Sequence, residues 1–104
     1  MGDEKLLREM GARINYVRKG LKITQEQLAE KMDVSVQMIS NLELGKKAIR
    51  PENLVKLCSE LGVSADYLLR GVSADGWSRE FVDKFKLLRV EKQELILRLI
   101  EAML

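Results

Sequence analysis

Apolar residues Leu6, Leu7, Met10, Ile14 and Val17 recur at steps of three and four, the spacing that lines one face of an α-helix. The pattern predicts a helix over residues 3–19, with Asp3 as its N-cap and Gly20 at its exit. Thr24-Gln25-Glu26-Gln27 then reads as a capping box. The Thr24 hydroxyl takes the amide three residues on, and Gln27 reaches back to the cap amide. Leu28, Ala29 and Met32 form the inward stripe of this second, short helix, and Asp33-Val34 makes a tight break. Ser35 is the next N-cap, for a third helix over about 36–44. Ile39 and Leu42 point inward on it, Met38 is expected outward, and Gly45 ends it.

A polar loop over 45–50 follows, and Pro51 suits the first position of a fourth helix. Its inward residues are Leu54, Leu57, Cys58 and Leu61, and Gly62 closes it. Ser64 caps a fifth helix containing Tyr67, Leu68 and Leu69, which Gly71 closes. Residues 72–76 read as a linker between a domain at 1–71 and a segment at 77–104. In that segment Trp77, Phe81, Phe85 and Leu88 make one apolar stripe. Leu95, Ile96, Leu99, Ile100, Met103 and Leu104 make another, on a last helix from about residue 90. Two helices joined by a short turn predict an αα-hairpin. The aromatic stripe reads as a packing anchor rather than a ligand cage.

Composition supports an all-α fold: five helices in the domain, then the two-helix hairpin. One Pro, two Phe and one Trp among 104 residues leave few β-formers, and the hydrophobic share of 46% is that of a globular chain. Net charge is only +2, so a nucleic-acid partner cannot be argued from overall basicity. Residues 1–71 hold 12 Lys+Arg and 10 Asp+Glu against 6 and 6 in the remainder, so the excess lies in the first part of the chain. A single Cys forms no internal disulfide, and Cys58 reads as a core thiol. The absence of His removes the commonest general base and metal ligand. No set of residues has catalytic or metal-site spacing, so neither an enzyme nor a cofactor is expected. With no long apolar run or leader, a cytoplasmic protein without membrane contact is expected.

Two short helices around a tight turn, the second opening with Ser, form the helix-turn-helix outline. Three stretches extend it: RINYVRKGLKITQEQLAEKM, VSVQMISNLELGKK and LVKLCSELGVSADYLLRG. With these in order and correctly spaced, residues 11–71 resemble the phage-repressor (Cro-type, XRE) helix-turn-helix family. The resemblance implies a compact five-helix domain and a transcriptional regulator, most simply a repressor, that binds a palindromic double-stranded operator as a homodimer. The third helix would lie in the major groove and read base edges through Val36, Gln37, Ser40 and Asn41. Gln37 matches the principal reading position, and its amide both donates and accepts, as adenine's edge requires. Gln25, at the N-terminus of the second helix, matches a phosphate-contacting position. Lys46, Lys47 and Arg50 would lie along the DNA backbone.

Arg18 and Glu43 match a family ion pair that ties the third helix to the first. Four departures stand out. Val36 replaces a residue that is often polar, so it would read a thymine methyl by apolar contact or read nothing. Asp33 occupies a position where Gly is common, so the turn would need Asp in a left-handed backbone. Leu44 replaces a usually polar residue, and the 45–50 loop is long.

The hairpin cannot hold a core alone and needs a partner surface. A symmetric homodimer through Trp77, Phe81, Phe85, Leu88, Leu95, Ile96, Leu99, Ile100 and Met103 is the first expectation. The alternative is a protein-interaction module, such as an autoregulating antitoxin whose hairpin holds a regulatory partner protein.

Overall fold

A computed structural model describes residues 2–72 and 78–104. Trp77 and most of the expected linker lie outside the described residues. Described residues form seven α-helices and no strand: α1 (Gly2–Gly20), α2 (Gln25–Met32), α3 (Val36–Glu43), α4 (Pro51–Leu61), α5 (Ala65–Arg70), α6 (Arg79–Lys86) and α7 (Val90–Met103).

Local chemistry sets most of these boundaries. Thr24 and Gln27 close the capping box in both directions, at 3.0 and 2.8 Å. Ser35, Ser64 and Ser78 each accept the amide three residues on, which satisfies one orphan N–H at the starts of α3, α5 and α6. Asp33 ends α2 in the left-handed region at φ 57°, the conformation its short polar side chain tolerates better than most. One cap differs from the sequence reading. α1 already begins at Gly2, ahead of Asp3, so Asp3 does not sit at the N-cap.

The core lies entirely within α1–α5, where α1 packs on α3 and α5, and α2 on α3 and α4. Ile14, Leu28, Met32, Ile39, Leu57 and Leu68 are its fully buried side chains. The inward stripes bury most of the residues their spacing predicts, with a few exceptions. Leu6 is 43% exposed, and Leu54 and Cys58 are half-buried. Burial pushes the Cys58 thiol above its ordinary pKa, which keeps it neutral. Met38 corrects the reading more sharply. It is half-buried and packs against the core instead of pointing outward.

Backbone contact as well as side-chain packing seats α3. A Cβ on Gly11 would come within 2.4 Å of the Leu42 carbonyl oxygen and 2.5 Å of Glu43's. The α1 backbone therefore touches the C-terminal carbonyls of α3, an approach only Gly permits. At the same end Gly45 (φ 73°) lies against the Arg8 backbone, whose Cα would be 2.8 Å from an added Cβ.

α6 and α7 contain no buried residue. Phe81 and Phe85 stack at 5.8 Å, and Gln93 of α7 donates to the carbonyls of Phe85 and Leu88 at 3.0 and 3.1 Å. That amide fastens the corner by satisfying carbonyls that end α6. A hydrogen bond from the Tyr16 hydroxyl to Asp83 Oδ2, 3.3 Å long, links α6 to α1. Burial and the nearby Asp83 charge both raise the Tyr16 pKa, so the phenol stays protonated as the donor.

Candidate nucleic-acid interface

α3 is short and mostly amphipathic, and its position comes from its two ends. Ser35 holds the first turn. Glu43 holds the last, with a side chain only 4% exposed. Arg18 Nε donates to Glu43 Oε2 at 2.6 Å and a second guanidinium nitrogen to Oε1 at 3.1 Å, a two-point contact of the kind that fixes orientation as well as distance. Arg18 also donates to the Ile23 carbonyl at 2.8 Å, which ties the α1–α2 connection into the same cluster.

Two amides complete the shell around the carboxylate. Asn15 Nδ2 donates to Glu43 Oε1 at 2.7 Å and Gln25 Nε2 at 3.0 Å. Burial alone would raise the Glu43 pKa. The hydrogen bonds from Arg18, Asn15 and Gln25, with the Arg18 charge, outweigh it and hold the carboxyl below its ordinary value. The same hydrogen bond raises the Arg18 pKa against the effect of burial. One carboxylate on α3 thus gathers donors from α1 and α2.

Asn15 and Gly11 are not among the residues that periodicity or motif singles out. Gly11 carries a signal, since an isolated Gly inside a helical pattern often marks a close approach. Asn15 carries none, because a half-buried amide on a helix resembles any solvated one. Gln25 is placed differently from the plain expectation. It does sit at the first position of α2, but its side-chain amide is engaged with Glu43.

Outward from this clamp, Gln37 is exposed, Val36 is 38% exposed, and Ser40 and Asn41 are half-buried. Gln37 Nε2 donates to Asn41 Oδ1 at 3.1 Å, one helical turn away. Both amides line a cleft of about 310 Å³ between α3 and the following loop, whose loop residues include Lys47 and Arg50. Lys46 is exposed beside them, and Arg50 lies 3.8 Å from Glu52 in an exposed pair that is worth little. The structure thus brings Gln37, Asn41, Lys47 and Arg50 together. The second set of expected residues, on α6 and α7, is separate. Phe81, Phe85 and Ile100 line an apolar groove of about 330 Å³, while Leu95, Leu99 and Met103 are exposed. Leu88 and Ile96 are half-buried.

No group of His, Cys, Asp or Glu among the described residues is arranged to hold a metal ion. No described helix is long and apolar enough to cross a membrane.

Comparison with known proteins places these features in a family. Residues 14–68 match the helix-turn-helix family. Repressor protein C2 of Salmonella phage P22 is 44% identical over 62 residues, which are 60% of this chain and 29% of the repressor. An uncharacterized HTH-type transcriptional regulator of Bacillus subtilis, YqaE, is 36% identical over 54% of this chain and 48% of its own length. The chain therefore spans less than half of each of these relatives. Among solved structures, the P22 c2 repressor in complex with synthetic operator 9T superposes with a TM-score of 0.58, covering 60% of this chain and 94% of that one. The clp gene regulator ClgR of Corynebacterium glutamicum gives 0.58 at 39% identity, covering 64% and 71%. Motifs, fold and comparisons agree: the chain belongs to the phage-repressor-like (Cro-type) helix-turn-helix family.

Proposed function

We propose that this chain is a sequence-specific DNA-binding transcriptional regulator that represses by occupying a palindromic operator as a homodimer. One observation carries the reading. Hydrogen-bonding amides stand on the outer face of a helix that Glu43 and Gly11 clamp to the scaffold, beside Lys47 and Arg50. A clamped helix loses little freedom on binding, so its side chains meet base edges without a large ordering cost. Resemblance to a repressor solved with its operator supports the same ligand.

In this reading α3 enters the major groove, with Gln37 and Asn41 reading bases and Val36 and Ser40 at their margin. Lys46, Lys47 and Arg50 face the phosphates. Gln25 contributes through the N-terminus of α2, whose free amides favour an anion, while its side chain supports Glu43. Exposed apolar residues on α7 join two copies.

Selection of bound duplexes from a random pool tests the reading directly. A two-fold symmetric sequence with half-sites about one helical turn apart is expected. Gln37→Ala should weaken that operator by roughly 1–3 kcal/mol and relax base preference where α3 reads it. Lys46→Ala should weaken all sequences alike and reduce the salt slope by about one. Equal binding of random and selected duplexes would remove specific recognition from the account.

A further inference from the structure

The hydrogen bond between Gln37 and Asn41 divides the work between two amides that would otherwise be interchangeable. An amide reads adenine with its oxygen and one N–H, accepting from N6 and donating to N7. Its second N–H is left for a neighbour. Gln37 has that neighbour: its nitrogen donates to Asn41 Oδ1 at 3.1 Å. The contact leaves the Gln37 oxygen and remaining N–H free as one donor–acceptor edge. It has the opposite effect on Asn41. With Oδ1 turned toward Gln37, Asn41 meets the groove through Nδ2, which can only donate.

We infer that Gln37 and Asn41 form a single reading unit in which Gln37 specifies adenine and Asn41, held as a donor, excludes cytosine at the adjacent position, the one base whose major-groove edge offers no acceptor. This rests on the DNA-binding reading above and sharpens it to two coupled base positions. The surroundings favour the assignment. Both residues line the cleft that also carries Lys47 and Arg50, so cations able to hold phosphate stand beside the amides. Met38 at the same cleft is held against the core and offers no competing polar group. Cytosine, which presents only an amino donor there, would face the Asn41 donor and be rejected.

The experiment uses the full chain and a random duplex pool, with selections run on the wild type, Gln37→Ala, Asn41→Leu, Asn41→Ala and the Gln37→Ala/Asn41→Leu double variant. Wild type should enrich adenine and deplete cytosine at the adjacent position. Both Asn41 variants should lose preference at the adenine position although Gln37 is intact, with about 5- to 150-fold weaker binding to the enriched operator. The double variant should bind within about twofold of the weaker single variant, the non-additivity expected of groups acting as a unit. Both replacements are strong helix formers, and urea unfolding unchanged from wild type in each excludes a folding defect as the cause. Retained adenine preference in both, or single losses that multiply in the double, would overturn the coupling while leaving DNA recognition in place. Failure of the wild type to enrich any sequence would instead bring down the DNA reading, and this inference with it.

Discussion

Glu43 concentrates more of the fold's polar chemistry than any other described side chain. Its carboxylate is buried, and Arg18 beside it is equally cut off from water. Removing one partner of such a pair leaves the other charge stranded. We therefore expect Glu43→Gln to cost about 3–5 kcal/mol at neutral pH, read by urea denaturation. An Arg18→Met/Glu43→Leu double variant should recover most of that loss, since neither charge then remains buried.

The pH dependence has a definite sign. The Glu43 pKa is lowered in the folded state, so its contribution is complete above the unfolded value of about 4.5 and disappears as pH falls through the folded value. The stability gap between wild type and Glu43→Gln should be flat above about pH 5 and close below that. A gap that widened on acidification would contradict the hydrogen-bonded carboxylate. The Arg18–Glu43 pairing enters the sequence reading through family resemblance, whereas Asn15 and the inward turn of Gln25 appear only once α1, α2 and α3 are assembled.

At the scale of the element, α3 shows how a short helix is held without much helical propensity of its own. Ser and Asn favour caps over helix interiors, and eight residues make too short a helix to persist alone. Its order comes from the Ser35 cap, the buried Ile39 and Leu42, the Glu43 clamp and the contact with Gly11. The last of these is the most exacting, because it sets the distance between two backbones. Gly11→Ala should push α1 and α3 apart, with a loss of roughly 1–3 kcal/mol in thermal or urea unfolding. It should also weaken operator binding although residue 11 lies on no base-reading face. Unchanged unfolding and binding would mean that α1 shifts freely. Caps and turns were the most legible features of the sequence, because they depend on residues within four positions of each other. The inward turn of Met38 is illegible for the complementary reason: its burial depends on what lies across from α3.

Across the whole molecule, the chain divides into a part that buries its core and a part that does not. A radius of gyration of 16.0 Å exceeds the about 13 Å expected of a compact domain this size. α7 explains why. Leu95, Leu97, Leu99, Ile100 and Met103 are 54%, 50%, 55%, 37% and 84% exposed, far more apolar surface than one helix pair can cover. We predict that a second copy covers it. Leu99→Glu in the full chain should convert a dimer to a monomer by light scattering or sedimentation and weaken operator binding at nanomolar protein. The helical content of the first five helices should be retained, since Leu99 is more than half exposed and is no member of their core. A dimer that survives would place the contact elsewhere and favour a different polypeptide on α7.

The sequence by itself determined the helices, most of their caps and the exposed place of Gln37 on α3. Each follows from periodicity or from hydrogen bonds between near neighbours, and these are set by residue order alone. Only the tertiary structure decided that Glu43 gathers donors from α1 and α2, that Gly11 meets the end of α3, and that Met38 turns inward. Those arrangements depend on which surfaces meet in space, and spacing along one helix carries no information about the helix packed against it.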